Sequence, residues 1–333
     1  MTADAAPGPQ PASDAPSPPT VPDADPLPPP VFILAPPRSF TSLICAMLGQ
    51  HPALYGLPEL NLFQCGTMAE FNTGRNPDGS VKSPFWATMR HGLLRVVAEV
   101  YGGEQTIESV NMAERWLRQR VGMDAGAVYR EVAARVAPLR VVDKSPGYLR
   151  SRASLDRIVE TFPEARFIHL TRHPRGQCES VLKTKGGPAV LFTLNALDRS
   201  GPEPVLDPQI LWHDSQVQIL NFLEPLPAAR WIRVRGEDLL NDLDAGLGHL
   251  CRWLALDDGP EAIAAMKRPE DSPYSGVGPV NARLGNDINF LKAPALREGG
   301  VTVPSLEGPL SWRPDERGFH PWVDGLAREL GYT

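Results

Sequence analysis

Apolar residues follow two rhythms along this chain, and the switches between them mark strand-then-helix units. Residues 31–35 form an unbroken apolar run rich in branched side chains, the pattern of a strand buried on both faces. Pro36 and Pro37 end it in a turn. Leu43, Ile44, Met47 and Leu48 then recur at helical spacing until His51-Pro52 stops the helix. The alternation returns at 139–143 (LRVVD), a strand followed by an amphipathic helix over 151–162 with Leu155, Ile158, Val159 and Phe162 inward. Residues 167–171 predict a third strand, with Pro174 placed to open the next helix. A helix over 207–223 precedes a fourth strand at 231–234, and another helix runs over 247–256. Between the first two strands, 85–137 is helical in period and reads as a packed helical subdomain. Residues 64–84 and 185–206 read mostly as loop, 269–320 as one long loop rich in Pro, Gly, Asn and Arg, and 320–331 as a short closing helix. Strands separated by helices predict an α/β fold with three layers, α/β/α, around a central parallel sheet. No period of a repeat protein is present.

Composition narrows the class. The chain has 333 residues, 42% hydrophobic and 22% charged, as in ordinary globular proteins, and a net charge of −6 argues against nucleic acid as a partner. No apolar run approaches the ~20 residues of a membrane-spanning helix. Cys45, Cys65, Cys178 and Cys251 are scattered among apolar neighbours without metal spacing; they read as buried reduced thiols in a reducing compartment, the cytoplasm. Residues 1–30 are dominated by Pro, Ala, Asp and Ser and lack the pattern of a signal peptide. They are expected to be a disordered extension before a folded domain over 31–333.

The candidate chemistry lies at the strand ends. After the first strand come Arg38, Ser39, Phe40, Thr41 and Ser42, at the start of a helix whose first N–H groups and dipole favour an anion. The loop is a phosphate or sulfate cradle in outline, or an ordinary turn with a surface Arg. It is not a Walker A loop, having neither Gly nor Lys between Val31 and Ser42. Glu59, between Pro58 and Leu60, is a lone carboxylate in an apolar stretch, either a helix N-terminal charge or a site residue. Lys144 stands at the end of the second strand, where ligands of open α/β sheets gather. Arg172 ends the third, with Ser180 eight residues on; together they offer a charged fork and a hydroxyl to a phosphate.

These motifs share a resemblance. Residues 37–43 (PRSFTSL) resemble the 5′-phosphosulfate loop P-[RK]-S-G-T-[TS]-L of sulfotransferases that use 3′-phosphoadenosine 5′-phosphosulfate (PAPS). Residues 143–146 resemble their [ND]-K-x-P segment, and 166–183 their 3′-phosphate motif, strand-[LTV]-x-R-x-P-x(5)-S. Residues 235–239 (RGEDL) resemble [RK]-[YF]-E-[DE]-L, with Glu237 and Asp238 as helix N-terminal charges. Glu59 follows Arg38 by 21 positions, similar to the acceptor-deprotonating Glu of the tyrosylprotein and carbohydrate branches.

The resemblance implies a P-loop NTPase-like sulfotransferase fold and PAPS as co-substrate. It implies Glu59 as base, Arg38 and Lys144 on the sulfuryl group, residues 39–42 on the 5′-phosphate, and Arg172 and Ser180 on the 3′-phosphate. The implied acceptor is a hydroxyl of a small molecule or a carrier-bound chain, with no metal; His173 is expected to be a loop residue. Phe40 replaces the usual Gly, putting a Cβ and a ring where backbone was to approach the ligand; the loop can still work if residue 40 has φ < 0 and its ring points into the core. Arg283, Asn286 and Arg297 are candidates to face the co-substrate. Two other readings stay open: a metal-dependent nucleotide kinase or phosphoryl transferase, and a nucleotide-binding protein without chemistry. Oligomeric state is open too.

Overall fold

The computed structural model describes residues 27–201, 203–297, 299–313, 315 and 317–333. Its centre is a five-stranded parallel sheet of β1 (Val31–Leu34), β2 (Leu54–Gly56), β3 (Arg140–Asp143), β4 (Arg166–Thr171) and β5 (Trp231–Arg235), in the order β2-β3-β1-β4-β5. β1 is the middle strand, pairing with β3 at Val31↔Val142 and with β4 from Val31↔Arg166 to Leu34↔His169. All its residues are buried, as a strand covered on both faces must be.

The two-residue period of β1 sorts its side chains into two cores. Phe32 and Leu34 join one, where the Phe32 ring centroid lies 5.8 Å from that of Tyr129 and 6.0 Å from that of Phe167. The helices His91–Gly102, Ala125–Val136, Arg152–Thr161 and Pro208–Leu223 cover that face. Val31, Ile33 and Ala35 join the other, against the helices Thr41–Leu48 and Leu243–Leu254. Each of the Val, Ile, Leu and Phe side chains contributes about 1.5–3 kcal/mol by leaving water. The result is the expected three-layer α/β/α arrangement.

The strand order also makes a crevice. The chain leaves β1 toward β2 on one side and leaves β4 toward β5 on the other. β1 and β4 are neighbours, so the connections at their carboxyl ends part in opposite directions and leave room for a ligand.

The expected strands match β1, β3, β4 and β5 to within a residue at each end. β2 was not expected, being too short to show a period. The stretch 64–84, expected as loop, holds the helix Met68–Thr73, capped by Thr67, whose hydroxyl accepts from Glu70 N. The stretch 185–206 holds the helix Gly187–Thr193 and an antiparallel pair of Leu197–Asp198 with Val205–Leu206. Residues 1–26 of the expected extension lie outside the described residues. Residues 27–30 belong to the folded part: Leu27 packs on the first core, and Arg166 N donates to Pro30 O at 2.9 Å. The four cysteines are free and buried. Among the described residues, no helix is long and apolar enough to cross a membrane.

Candidate active site

β1 delivers residues 36–40 into the crevice, and the helix Thr41–Leu48 starts there. Arg38 and Phe40 are both left-handed, with φ of 70° and 64°. The condition of φ < 0 at residue 40 is therefore not met. The loop takes the backbone shape open to glycine, and Phe40 carries a left-handed strain of about 1 kcal/mol. The ring does not enter the core either. It is half-buried at the rim of the second core, against Gly236, with the Arg172 guanidinium 4.2 Å from its centroid. Neighbours brace the loop: Gln177 Nε2 donates to Pro37 O at 2.8 Å, and an Arg172 N–H donates to Arg38 O at 2.6 Å.

The cations converge. Arg38 Nε donates to Ser180 Oγ at 3.2 Å, and its guanidinium forms an ion pair with Asp287. Burial pushes the Arg172 guanidinium down to about 10, with the Glu237 carboxylate opposing the shift, so it remains charged at neutral pH. Glu237 is itself buried and accepts from His173 N at 2.8 Å and from Tyr332 Oη at 3.2 Å. The turn that carries Arg172 is thus tied to the last residues of the chain. His173 caps the helix Pro174–Lys183, its Nδ1 accepting from Arg175 N at 3.1 Å, and burial pushes it down to about 4.

β3 supplies the next group. The side chain of Lys144 is 0% exposed, and Nζ donates to Ser42 Oγ and to Glu59 Oε1, both at 2.8 Å. Glu59 therefore faces a charged partner, in place of the apolar setting suggested by its neighbours in sequence. Its backbone is fixed by Glu59 N donating to Gly285 O at 2.6 Å. Asp143, beside Lys144, points away from the crevice into the first core. It accepts from Ser145 Oγ at 2.9 Å and Tyr148 Oη at 2.8 Å, and burial pushes it up to about 7.

Between these groups lies a cleft of about 440 Å³. One end is polar, lined by Arg38, Ser39, Thr41, Ser42, Arg172 and Ser180; the other is apolar, with Leu240, Leu243, Phe290, Leu296 and Val301. Ser39 Oγ is buried with no partner among the described residues, a donor left for an anion. A polar end for phosphate and an apolar end for a base suit a nucleotide.

The family model described as "Sulfotransferase family" matches residues 29–260, which holds β1 through β5 and every motif residue above. The chain belongs to the sulfotransferase family. The structure of this sulfotransferase-family chain is similar to the sulfotransferase domain from the curacin biosynthetic pathway, with 26% identity and a TM-score of 0.68 over 92% of this chain and 99% of that one. It shares its fold with the sulfotransferase domain from the Synechococcus PCC 7002 olefin synthase, at 24% identity and a TM-score of 0.65 over 94% and 98% of the two chains. The nodulation protein NoeE of Sinorhizobium fredii (strain NBRC 101917 / NGR234) is 30% identical over 168 residues, 50% of this chain. The match spans about a third of the length of that curated relative. The fold is the P-loop-like α/β fold that these neighbours share.

Of the residues singled out in the sequence, Arg38, Ser39, Phe40, Thr41, Ser42, Arg172 and Ser180 line the cleft, while Lys144 and Glu59 sit behind Ser42. Arg297 lines it as well; Arg283 is exposed and outside its lining, and Asn286 instead donates Nδ2 to Tyr274 O at 3.0 Å. Sequence reasoning missed Asp287. It pairs with Arg38, its N–H donates to Ser42 Oγ at 3.1 Å, and its Oδ1 caps the helix Ile288–Lys292 by accepting from Asn289 N at 2.8 Å. An acid just before an apolar period was the available signal. Gln177 was missed too, and only its place on the helix after Arg172 hinted at it.

Proposed function

We propose that this chain transfers a sulfuryl group from PAPS to a hydroxyl of a small molecule or carrier-bound intermediate. One observation carries the reading: the β1 loop and the β4 turn, far apart in sequence, place Arg38, Arg172 and Ser180 around one cleft whose floor, at Ser42, leads to the Lys144–Glu59 pair. Glu59 takes the proton as the acceptor oxygen bonds to sulfur. The bond from sulfur to the 5′-phosphate oxygen breaks, leaving adenosine 3′,5′-bisphosphate. Arg38 and Lys144 stabilise the charge that gathers on the sulfuryl and bridging oxygens. N–H groups of residues 39–42 with the Ser39, Thr41 and Ser42 hydroxyls hold the 5′-phosphate; Arg172 and Ser180 hold the 3′-phosphate. In this reading the fixed cations supply the neutralising charge, and positioning supplies much of the rate.

The likeness to a sulfotransferase domain of the curacin biosynthetic pathway supports a biosynthetic intermediate as acceptor. The four free buried cysteines support a reducing compartment such as the cytoplasm. The test is calorimetric titration with adenosine 3′,5′-bisphosphate beside ATP–Mg²⁺. Binding of the bisphosphate alone is expected; binding of ATP–Mg²⁺ alone would move the chain to phosphoryl transfer.

A further inference from the structure

We propose that Phe40 is a positioning residue for Arg172: its ring, seated in the space that Gly236 leaves open, holds the guanidinium at the 3′-phosphate end of the cleft. Phe40 thereby sets the preference for a nucleotide bearing a 3′-phosphate. The inference rests on the PAPS reading of the cleft.

Three observations carry it. The Arg172 guanidinium lies 4.2 Å from the Phe40 ring centroid, well inside cation–π range, and both side chains are partly withdrawn from water. The ring's place depends on Gly236. A Cβ there would lie 2.7 Å from Phe40 Cδ2 and 3.3 Å from Thr171 O, so any side chain at 236 would drive the ring off its seat. Phe40 also holds this place from a left-handed backbone, at φ 64°, that glycine would adopt without cost. The loop's reversal sets that backbone, Arg38 being left-handed as well, and the contacts with Gly236 and Arg172 place the ring.

The two sites at which this chain departs from the motifs it resembles are Phe40 for Gly and Gly236 for Tyr or Phe, and they touch each other. The aromatic ring missing from one strand end is supplied by the other. The ring and the Arg38 carbonyl, which accepts from Arg172 Nη1 at 2.6 Å, together restrict the guanidinium. That restriction matters for a forked donor reading a phosphate.

The test compares affinity for adenosine 3′,5′-bisphosphate with that for adenosine 5′-monophosphate, which lacks the 3′ group. Phe40→Gly removes the ring and relieves the left-handed strain, so the loop should fold. The ratio of bisphosphate to monophosphate affinity is expected to fall about tenfold, any change at the 5′-phosphate loop being common to both ligands, and Phe40→Tyr should keep the wild-type ratio. Gly236→Ala should lose the same ratio by displacing the ring, and the double variant should be no worse than Phe40→Gly alone. An unchanged ratio in Phe40→Gly, or additive losses in the double variant, overturns the proposal. A wild-type chain with no preference for the bisphosphate overturns the PAPS reading instead. The Phe40–Arg172 coupling is then read from the thermal midpoints of Phe40→Gly, Arg172→Ala and their double variant: non-additive shifts uphold it and additive ones overturn it.

Discussion

The cleft has two walls of unlike construction. One is built from the ends of β1 and β4 and the helices behind them, where Arg38, Arg172, Ser180 and Gln177 brace one another through side chain and backbone. The other is lined by residues between Asp287 and Thr302, of which the described ones are coil apart from the short helix Ile288–Lys292. It is fastened by Asp287 at one end and, at the other, by Asn241, whose Nδ2 donates to Val301 O at 2.9 Å and whose Oδ1 accepts from Val301 N at 2.6 Å. The carboxyl ends of these inner strands can hold charges in fixed places. The coil wall is anchored by the buried Phe290 and Leu291 and otherwise belongs to the kind of segment that is less stable than a sheet.

The sharpest way to break this contrast is to remove the chemistry behind the fixed wall. Lys144→Ala and Glu59→Gln should each cut kcat by roughly 10²–10³-fold with little change in bisphosphate affinity. Steady-state rates beside calorimetry would check this, and a loss of affinity with kcat kept would make both binding residues. Next, Arg172→Ala should weaken bisphosphate binding by about 2 kcal/mol, the scale of a lost charged hydrogen bond; unchanged binding would put the 3′ site elsewhere. The coil wall should respond with the opposite sign. Asp287→Asn frees Arg38 while the amide oxygen still caps Ile288–Lys292, so titration should show affinity raised by about fivefold. Weaker binding would mean that Asp287 helps to hold the ligand. The smallest effect is expected from Asn241→Ala: about 1 kcal/mol or less in global stability, with faster amide exchange around Val301.

The fixed wall was largely legible because local rules decide it. Buried apolar runs mark β1, β3 and β4, an alternation of apolar residues with Arg marks the half-buried β5, and the charged residues follow at each strand's end. The coil wall was not, because the Arg38–Asp287 pair joins segments that share no local pattern. Glu59 shows the same limit from another side. Beside it in sequence stand Pro58 and Leu60; beside it in space stands Lys144. Phe40 misled for a steric reason, since a side chain argues for φ < 0 at any ordinary position. Here the reversal between β1 and its helix prevailed, with Gly236 making room and Arg172 covering the ring. Gly187–Thr193 was hidden because Gly186-Gly187-Pro188 looks like a turn, although a left-handed Gly before a first-turn Pro is also how a helix can open.

The burial of Lys144 has a consequence for labelling chemistry. An amine with no exposed surface is out of reach of acylating reagents, whereas Lys183 and Lys267 are exposed enough to react. Acylation of Lys144 therefore has to wait until the groups over it part. The rate at which its mass tag accumulates becomes a stopwatch for how often the chain opens, one that runs without knowing the acceptor.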